Sequence, residues 1–399
     1  MMDAAKLRKT GVALLASRLC ILGDDPCGGS EVVLWEDARI LETARIPVRV
    51  YARAARQGAP VITLPFHTSR AQLNTMEYAR GLLRKEPEAL ILAYNEPALA
   101  GCAPERTVVR FDWTTPLPRC WNWPVCLSRF ARARYLFPSD SERRIFLEQH
   151  ARIPPRQAVV VRNAVDLELF APRKETPPGD RDGSMRVGFA GQWSAGKGLP
   201  QLLAAWYDVK ASFPGALLCL AGGPKLWKRE AEPDGARETD AMIRELERKG
   251  LARLFGTIPR SQMPHFWNSV DIAVVPSLSE SFGLVALEAL ACGVPVIATA
   301  VGGLKEIVVN GECGLFVAPG DAAGLGRALR ELLGNSILRE RLAAGARRRA
   351  QQFSLEWRSR ELLALLWNEK VGTEEDAGSA PDPDAEASAD LVGASRSSR

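Results

Sequence analysis

Short apolar runs recur along the chain, and between them lie stretches with helical periodicity. In the first half the runs are VALLAS (12–17), VRVYA (48–52), VITLP (61–65), ALILAY (89–94), TVVRF (107–111), RYLFPS (134–139) and AVVVRN (158–163). In the second half they are RVGFAG (186–191), ALLCLAG (216–222), ARLFG (252–256), DIAVVPS (271–277), VPVIAT (294–299) and GLFVA (314–318). Runs this short, without polar alternation, are buried on both faces, as in parallel sheets. Helical stretches between them predict βαβ units and doubly wound sheets. The pattern therefore predicts an α/β protein with two Rossmann-like domains separated by a cleft. APRKETPPGDRDGSM (171–185) has neither period and combines Pro, Gly and charge, which marks a linker between domains over 1–170 and 186–352. From 371 to 399 the chain is Ala, Ser, Asp, Glu and Pro with few large apolar residues, and disorder is expected there.

Length supports this division, because 399 residues exceed the roughly 250–300 over which one core keeps growing. Apolar residues make up 46% and charged residues 25%, which excludes a disordered chain, a collagen-like fibre and a disulfide scaffold. Lys6, Arg8 and Lys9 before GVALLASRLCILG imitate a signal peptide, but Arg18 interrupts the run, so a first buried strand is expected. No run is long enough to span a bilayer. The eight Cys form no C-x-x-C pair, which fits buried thiols in a cytoplasmic protein better than disulfides or zinc. Three scattered His make a His-rich metal site a poor expectation. Net charge is +5, but residues 371–399 carry seven acids against two bases, a net of −5, which leaves +10 on the rest. A basic body fits an anionic ligand or an anionic surface.

The densest chemical signal is VVPSLSESFGLVALEALACGVPVIATAVGGLKEIV (274–308). A strand ends at Pro276, a polar turn follows, and an apolar helix is predicted to begin near Phe282 or Gly283. Backbone N–H groups of Ser281, Phe282, Gly283 and Leu284 then sit at a helix N-terminus, where unpaired donors and the helix dipole favour an anion such as phosphate. Glu280 precedes this site and Glu288 lies on the helix's second turn. Each carboxylate can accept hydroxyl hydrogen bonds. On spacing alone, Glu280 as a helix cap and Glu288 as a solvated surface residue is an equally open reading.

The full pattern P-S-x-x-E-x-F-G-x-x-x-x-E-A-x-A-x-G-x-P-V-x-A-T-x-x-G-G-x-x-E, with its Glu-x7-Glu spacing, resembles glycosyltransferase family 4. Its members are retaining transferases of the GT-B fold. The resemblance implies that Glu280 contacts the donor sugar, Glu288 the nucleotide ribose, and the 281–284 backbone the donor diphosphate. FAGQWSAGKGLPQLLAAW (189–206) is similar to the family's G-R-L-x-x-x-K-G segment, so Lys197 is implied to bind the diphosphate, with Gln192 replacing the usual arginine. FGTIPRSQMPHFWNSVDIAVVPS (255–277) matches the following units, and the loop at Ile258 is implied to enclose the base. DDPCGGSEVV (24–33) resembles the Gly-rich loop, with Gly28 and Gly29 closing on donor and acceptor. QQFSLEWRSRELLALLW (351–367) resembles the final helix, which in this fold returns to the N-terminal domain (353–370). His265 is expected to pack beside Phe266 and Trp267.

The chain departs from the family where a His is usual after TVVRF. Phe111 stands there, followed by Asp112, which is the candidate polar group toward acceptor or sugar; Asn95 and Glu96 are alternatives. VVVRNAVDLELFAP (159–172) resembles N-G-V-D-x-x-x-F-x-P, giving Asn163 and Asp166 structural roles. Eleven bases against five acids over 119–174 fit an anionic acceptor, a peripheral contact with the inner face of a membrane, or a solvated Arg-rich face. Nucleic acid is a poor fit, because no recognition motif accompanies the charge. The resulting expectation is transfer from a nucleotide-diphosphate sugar to a sugar, lipid-linked or small-molecule hydroxyl, without an essential metal. The alternative is a nucleotide-sugar-binding protein with little or no activity. A dehydrogenase is excluded, since no G-x-G-x-x-G joins a strand to a helix.

Overall fold

A computed structural model describes residues 4–17, 21–22, 28–55, 59–64, 71–113, 128–173, 184–224 and 236–367. Most of the expected linker (174–183), the acidic tail (371–399) and the Trp-rich start of the basic region (119–127) lie outside these residues.

The strands are β1 (Val12–Leu15), β2 (Ile21–Leu22), β3 (Val48–Ala52), β4 (Ala54–Ala55), β5 (Ile62–Thr63), β6 (Leu90–Tyr94), β7 (Thr107–Arg110), β8 (Arg134–Phe137) and β9 (Ala158–Val160), followed by β10 (Arg186–Gln192), β11 (Leu217–Gly223), β12 (Ala252–Gly256), β13 (Ile272–Val275), β14 (Val296–Thr299) and β15 (Gly314–Val317). They form a seven-stranded sheet ordered β5-β3-β1-β6-β7-β8-β9 and a six-stranded sheet ordered β12-β11-β10-β13-β14-β15. Every pairing is parallel. Each apolar run read from the sequence holds one strand of these two sheets, and the α/β architecture with two Rossmann-like sheets is as expected. The two-residue strands β2 and β4, which pair with each other, carry no run long enough to signal them.

Successive strand residues point to opposite faces, so each strand feeds two cores. In β13, Ile272 and Val274 pack with Trp206 and Leu329, while Ala273 and Val275 pack with Leu287 and Leu290. The stretch that imitates a signal peptide is the fully buried central strand β1, entered from the helix Ala4–Thr10. Among the described residues no helix is long and apolar enough to cross a membrane. Among the described residues, Cys102, Cys219, Cys292 and Cys313 form no disulfide.

The first domain ends earlier than residue 170. Val161 packs in the first domain's core, but Val165 and Phe170 pack in the second's. The Val165 N–H donates to Phe353 O at 2.9 Å. Asp166 Oδ1 accepts the N–H groups of Glu168 and Leu169, and this turn delivers Phe170 into the apolar interior. The final helix Leu355–Trp367 returns to the first domain, burying Leu362, Leu365 and Leu366 beside Val33, Leu41 and Leu92.

Polar contacts close the seam between the domains. Glu306, the last residue of the long motif, accepts the N–H groups of Asp140 and Ser141 on Oε1 at 2.8 and 3.2 Å. These donors open the helix Asp140–Gln149, where a carboxylate is favoured by the dipole. Glu306 Oε2 meets Arg162 Nε at 3.0 Å. Ser139 caps the same helix through Glu142 N and donates from Oγ to Ser281 O at 2.6 Å. Arg162 is thus held internally, and so is much of the basic stretch. Arg129 and Arg134 bond to carbonyls, Arg143 to a carbonyl and Asp140, and Arg132 and Arg144 to Glu105 and Asp140.

The final helix carries the most deeply buried arginine of the seam. Arg358 is fully buried and meets Asp37 Oδ1 through Nε at 3.0 Å and Nη2 at 2.6 Å. Tyr94 donates to Asp37 Oδ2 at 2.7 Å. Removing one partner of such a pair leaves a buried charge without compensation, which costs about 3–5 kcal/mol. Arg358→Met is therefore expected to be destabilised by about that amount, seen as a lower urea midpoint, and Arg358→Lys to recover only part of it, because one ammonium cannot reproduce the two-armed contact.

Candidate functional site

The carboxyl ends of β10 to β14 face the first domain, where ligands bind in open parallel sheets. The turn after β13 leads into the helix Leu284–Ala291, with Gly283 as its cap at φ 105°. The helix starts at Leu284, one to two residues later than expected. Its first N–H groups have no acceptor within the helix and point toward the cleft end.

Glu280 is fixed in this turn from three sides. Its carbonyl accepts the Gly303 N–H at 3.0 Å. Ser277 Oγ donates to Oε2 at 3.0 Å, and Lys197 Nζ lies 2.7 Å from the same oxygen. The approach requires glycine twice. Gly302 has φ 48°, and a Cβ there would fall 1.8 Å from Glu280 O. Gly198, which follows Lys197, has φ 67°, and a Cβ there would fall 1.7 Å from Pro276 O. The GKG and AVGG sequences thus let two loops close on Glu280.

An open cleft of about 620 Å³ adjoins this turn. Gly28 and Gly29 line it from the first domain; Ile258, Arg260, Leu284 and Glu288 line it from the second. Gly28 caps the helix Gly29–Thr43, its N–H 3.4 Å from Glu31 Oε2. Of the residues singled out in the sequence, Lys197 and Glu280 form one pair, and Gly28, Gly29, Ile258, Leu284 and Glu288 share the cleft. Ser281 is tied by its carbonyl to Ser139. The Phe282 ring is buried, edge-on to Phe353. Gln192 is the half-buried last residue of β10, with Gly223 beside it.

The first-domain candidates are placed differently. Asp112 is buried and pairs with Arg110 Nε at 2.7 Å, while its N–H donates to Asn95 Oδ1 at 3.1 Å. Arg110 also bonds to Asn163, which accepts from Arg358 at 3.4 Å. Asp112 thus belongs to a buried charge network and is not among the residues lining the cleft. Phe111 does not face a reacting centre; its ring packs against Tyr135, Phe137 and Phe146. Asn95 has φ 54°, a conformation Asn tolerates better than most residues, and its amide secures Asp112. Glu96 is buried. His265 does not pack with Phe266 and Trp267; it is exposed and contacts Arg173.

Two residues that join across the cleft escape the sequence reading. Arg260 follows the Ile258 loop and extends Nη1 to Glu288 Oε1 at 2.9 Å and Nη2 to Glu36 Oε1 at 2.8 Å. Its guanidinium lies over the Phe170 ring, 5.2 Å from the centroid. Glu36 belongs to the first domain's helix Gly29–Thr43, so the triad crosses the cleft. Desolvation pushes Glu36 up to about 7 despite the opposing pull of Arg260 and Arg358. Burial likewise raises Glu288, against the attraction of Arg260.

Comparison with known proteins places this site in a family context. Residues 173–349 match the family described as Glycosyl transferases group 1. A D-inositol 3-phosphate glycosyltransferase of Frankia alni is 36% identical over 221 residues, 52% of this chain and 52% of that protein. The enzyme of the same description from Mycobacterium marinum is 28% identical over 416 residues, 91% of this chain and 86% of that protein. At the higher identities the chain spans about half the length of the curated relatives it matches. Among solved structures, the sucrose-phosphate synthase of Thermosynechococcus elongatus superposes with a TM-score of 0.74 at 21% identity, covering 90% of this chain and 98% of its own. Anabaena HepE in complex with UDP-glucose superposes at 0.70 and 20% identity, covering 90% and 99%. The fold is thus GT-B, and residues 173–349 are similar to the glycosyl transferases group 1 family.

The titration of Glu36 has a signed consequence for stability. A carboxyl raised in the folded state binds more protons there than in the unfolded chain, so stability falls as pH rises from the usual carboxylate range to about 7 and is flat above. Glu36→Gln lacks this term. Urea unfolding at pH 5 and pH 8 is expected to show the wild type losing more stability than Glu36→Gln, by at most about 3 kcal/mol.

Proposed function

We propose that the chain transfers a glycosyl group from a nucleoside-diphosphate sugar to an acceptor hydroxyl, with retention of configuration. The observation that carries this reading is the Lys197–Glu280 pair, 2.7 Å apart, beside the N-terminus of the helix Leu284–Ala291. In the reaction the bond between the anomeric carbon and the phosphate oxygen breaks, and the electron pair leaves with the diphosphate. The acceptor oxygen bonds to the anomeric carbon, and its proton passes to the departing diphosphate oxygen. Negative charge therefore grows on the diphosphate, where Lys197 Nζ and the helix N–H groups can meet it.

Without donor, Lys197 and Glu280 neutralise each other. Donor binding exchanges this bond for two: Lys197 turns to phosphate and Glu280 accepts sugar hydroxyls. Neither charge is left alone at any stage, which matters in a cleft from which water is expelled. Glu288, at the far end of the same helix segment, accepts the ribose hydroxyls, and Ile258 covers the base. The reading includes no resident metal, since Lys197 and the helix supply the positive field. UDP-glucose in the HepE neighbour makes uridine the first base to test.

A second reading, a nucleotide-sugar-binding protein with little turnover, is favoured by Phe111. That residue stands where the resemblance expects a His near the reacting centre, and it packs in an apolar cluster.

Release of nucleoside diphosphate from a panel of sugar donors decides between them. Turnover is expected in the wild type, unchanged by a chelator, and reduced by about 100-fold or more in Glu280→Ala and Lys197→Met, the scale of losing one group that stabilises developing charge. Donor binding without turnover on any acceptor favours the second reading, and no binding at all contradicts both.

A further inference from the structure

The donor-site carboxylate Glu288 is not held by its own domain alone. Arg260 grips its Oε1, and the other arm of the same guanidinium is anchored 2.8 Å away on Glu36 of the opposite domain. All three side chains are nearly buried, with exposures of 12% for Arg260, 9% for Glu36 and 7% for Glu288. The planar fork of arginine can hold two carboxylates at fixed angles, which a lysine cannot do. Phe170 closes the remaining face of the guanidinium. Glu36 Oε2 is buried without a hydrogen-bond partner, so Glu36 keeps its place through Arg260.

We propose that Glu36 and Arg260 form an interdomain anchor that orients Glu288 toward a ribose diol, which makes Glu36 a positioning residue for nucleotide binding although it stands on the first domain. This rests on the reading that Glu288 meets the nucleotide ribose. The geometry then ties ribose recognition to closure. When the domains part, Arg260 loses one of the two carboxylates that set its fork, and its hold on the Glu288 carboxyl slackens. When they close, the fork locks and the carboxyl is oriented before ligand arrives.

The charged groups facing Glu36 are Arg260 from the second domain, Arg358 from the final helix, Glu288 from the cleft helix and Asp37 on its own helix. Two cations oppose two further acids, and burial tips the balance toward protonation near neutrality. A neutral Glu36 binds Arg260 less strongly, so the anchor weakens as pH falls through about 7.

The test uses the full chain and calorimetry with uridine, guanosine and adenosine diphosphates, together with the 2′,3′-dideoxy form of whichever binds. Glu36→Gln is expected to weaken the ribonucleotide about 5- to 10-fold and leave the dideoxy form unchanged. Arg260→Lys, which keeps the charge but not the fork, is expected to give the same ribose-selective loss. The ratio of wild-type to Glu36→Gln affinity is expected to fall toward one as pH is lowered from 8 to 6; ligand phosphate titration cancels in that ratio. Equal losses for both nucleotides, a pH-independent ratio, or wild-type affinity in Glu36→Gln overturns the proposal while leaving the donor site in place. Failure of the wild type to bind any of the three diphosphates removes the functional reading itself, and the anchor with it.

Discussion

Glu36 and Asp37 are consecutive residues on one helix, both buried, and each meets a guanidinium from a distant part of the chain. Successive helix positions diverge by about 100°, so the two acids face different partners. Asp37 takes Arg358 of the final helix, and Glu36 takes Arg260 of the second domain. Buried without its guanidinium, either acid would have to take up a proton, because an unpaired buried charge is prohibitively unfavourable. The constraint acts in both directions. The final helix must return to the first domain to satisfy Asp37, and the second domain must approach to satisfy Glu36.

That division shapes the rest of the molecule. Each sheet has apolar cores on both faces and is complete in itself. The seam between them is held by named polar contacts: Arg260 with Glu36, Glu306 with the helix at Asp140, and Ser139 with Ser281. Such contacts can exchange protein partners for water or ligand at modest net change, whereas an apolar interface could not. A cleft that must admit a polar ligand and then exclude solvent suits a seam of this kind. On the proposed function, the Lys197–Glu280 pair follows the same logic within one domain, each partner turning to ligand as the pair opens.

The architecture was legible because buried parallel strands leave uninterrupted apolar runs, and every strand of the two sheets sits in one. The turn at Glu280 was legible for a related reason. Gly198 and Gly302 must occur at fixed spacing for two loops to approach the backbone at Pro276 and Glu280, so the sequence carries the geometry. Side chains whose partners lie far away in sequence were not legible. Glu36 reads as an ordinary polar position of a helix, and Arg260 as one base in a polar loop; 224 positions separate them. Asp112 shows the reverse case, a residue singled out in the sequence that the fold ties into a buried charge network. Its place after a strand end suggested a site, but the neighbouring Arg110 is buried and claims it. Phe111, beside it, alternates to the other face and joins the aromatic core, as strand geometry requires. Near the expected boundary at 170, Val165 and Phe170 are apolar residues that could serve either domain, and they pack in the second domain's core.

On the proposed function, ligand enters the cleft between the two sheets and lands on the N-terminus of the helix Leu284–Ala291. Hydrogen exchange of the full chain, with and without saturating nucleoside diphosphate, tests this most directly. Added protection is expected at amides 281–286 and at 28–33 across the cleft, with none in the outer groove of the second domain lined by Asn310, Asp321 and Glu331. Protection confined to that outer groove, or none at 281–286 while ligand is bound, contradicts it.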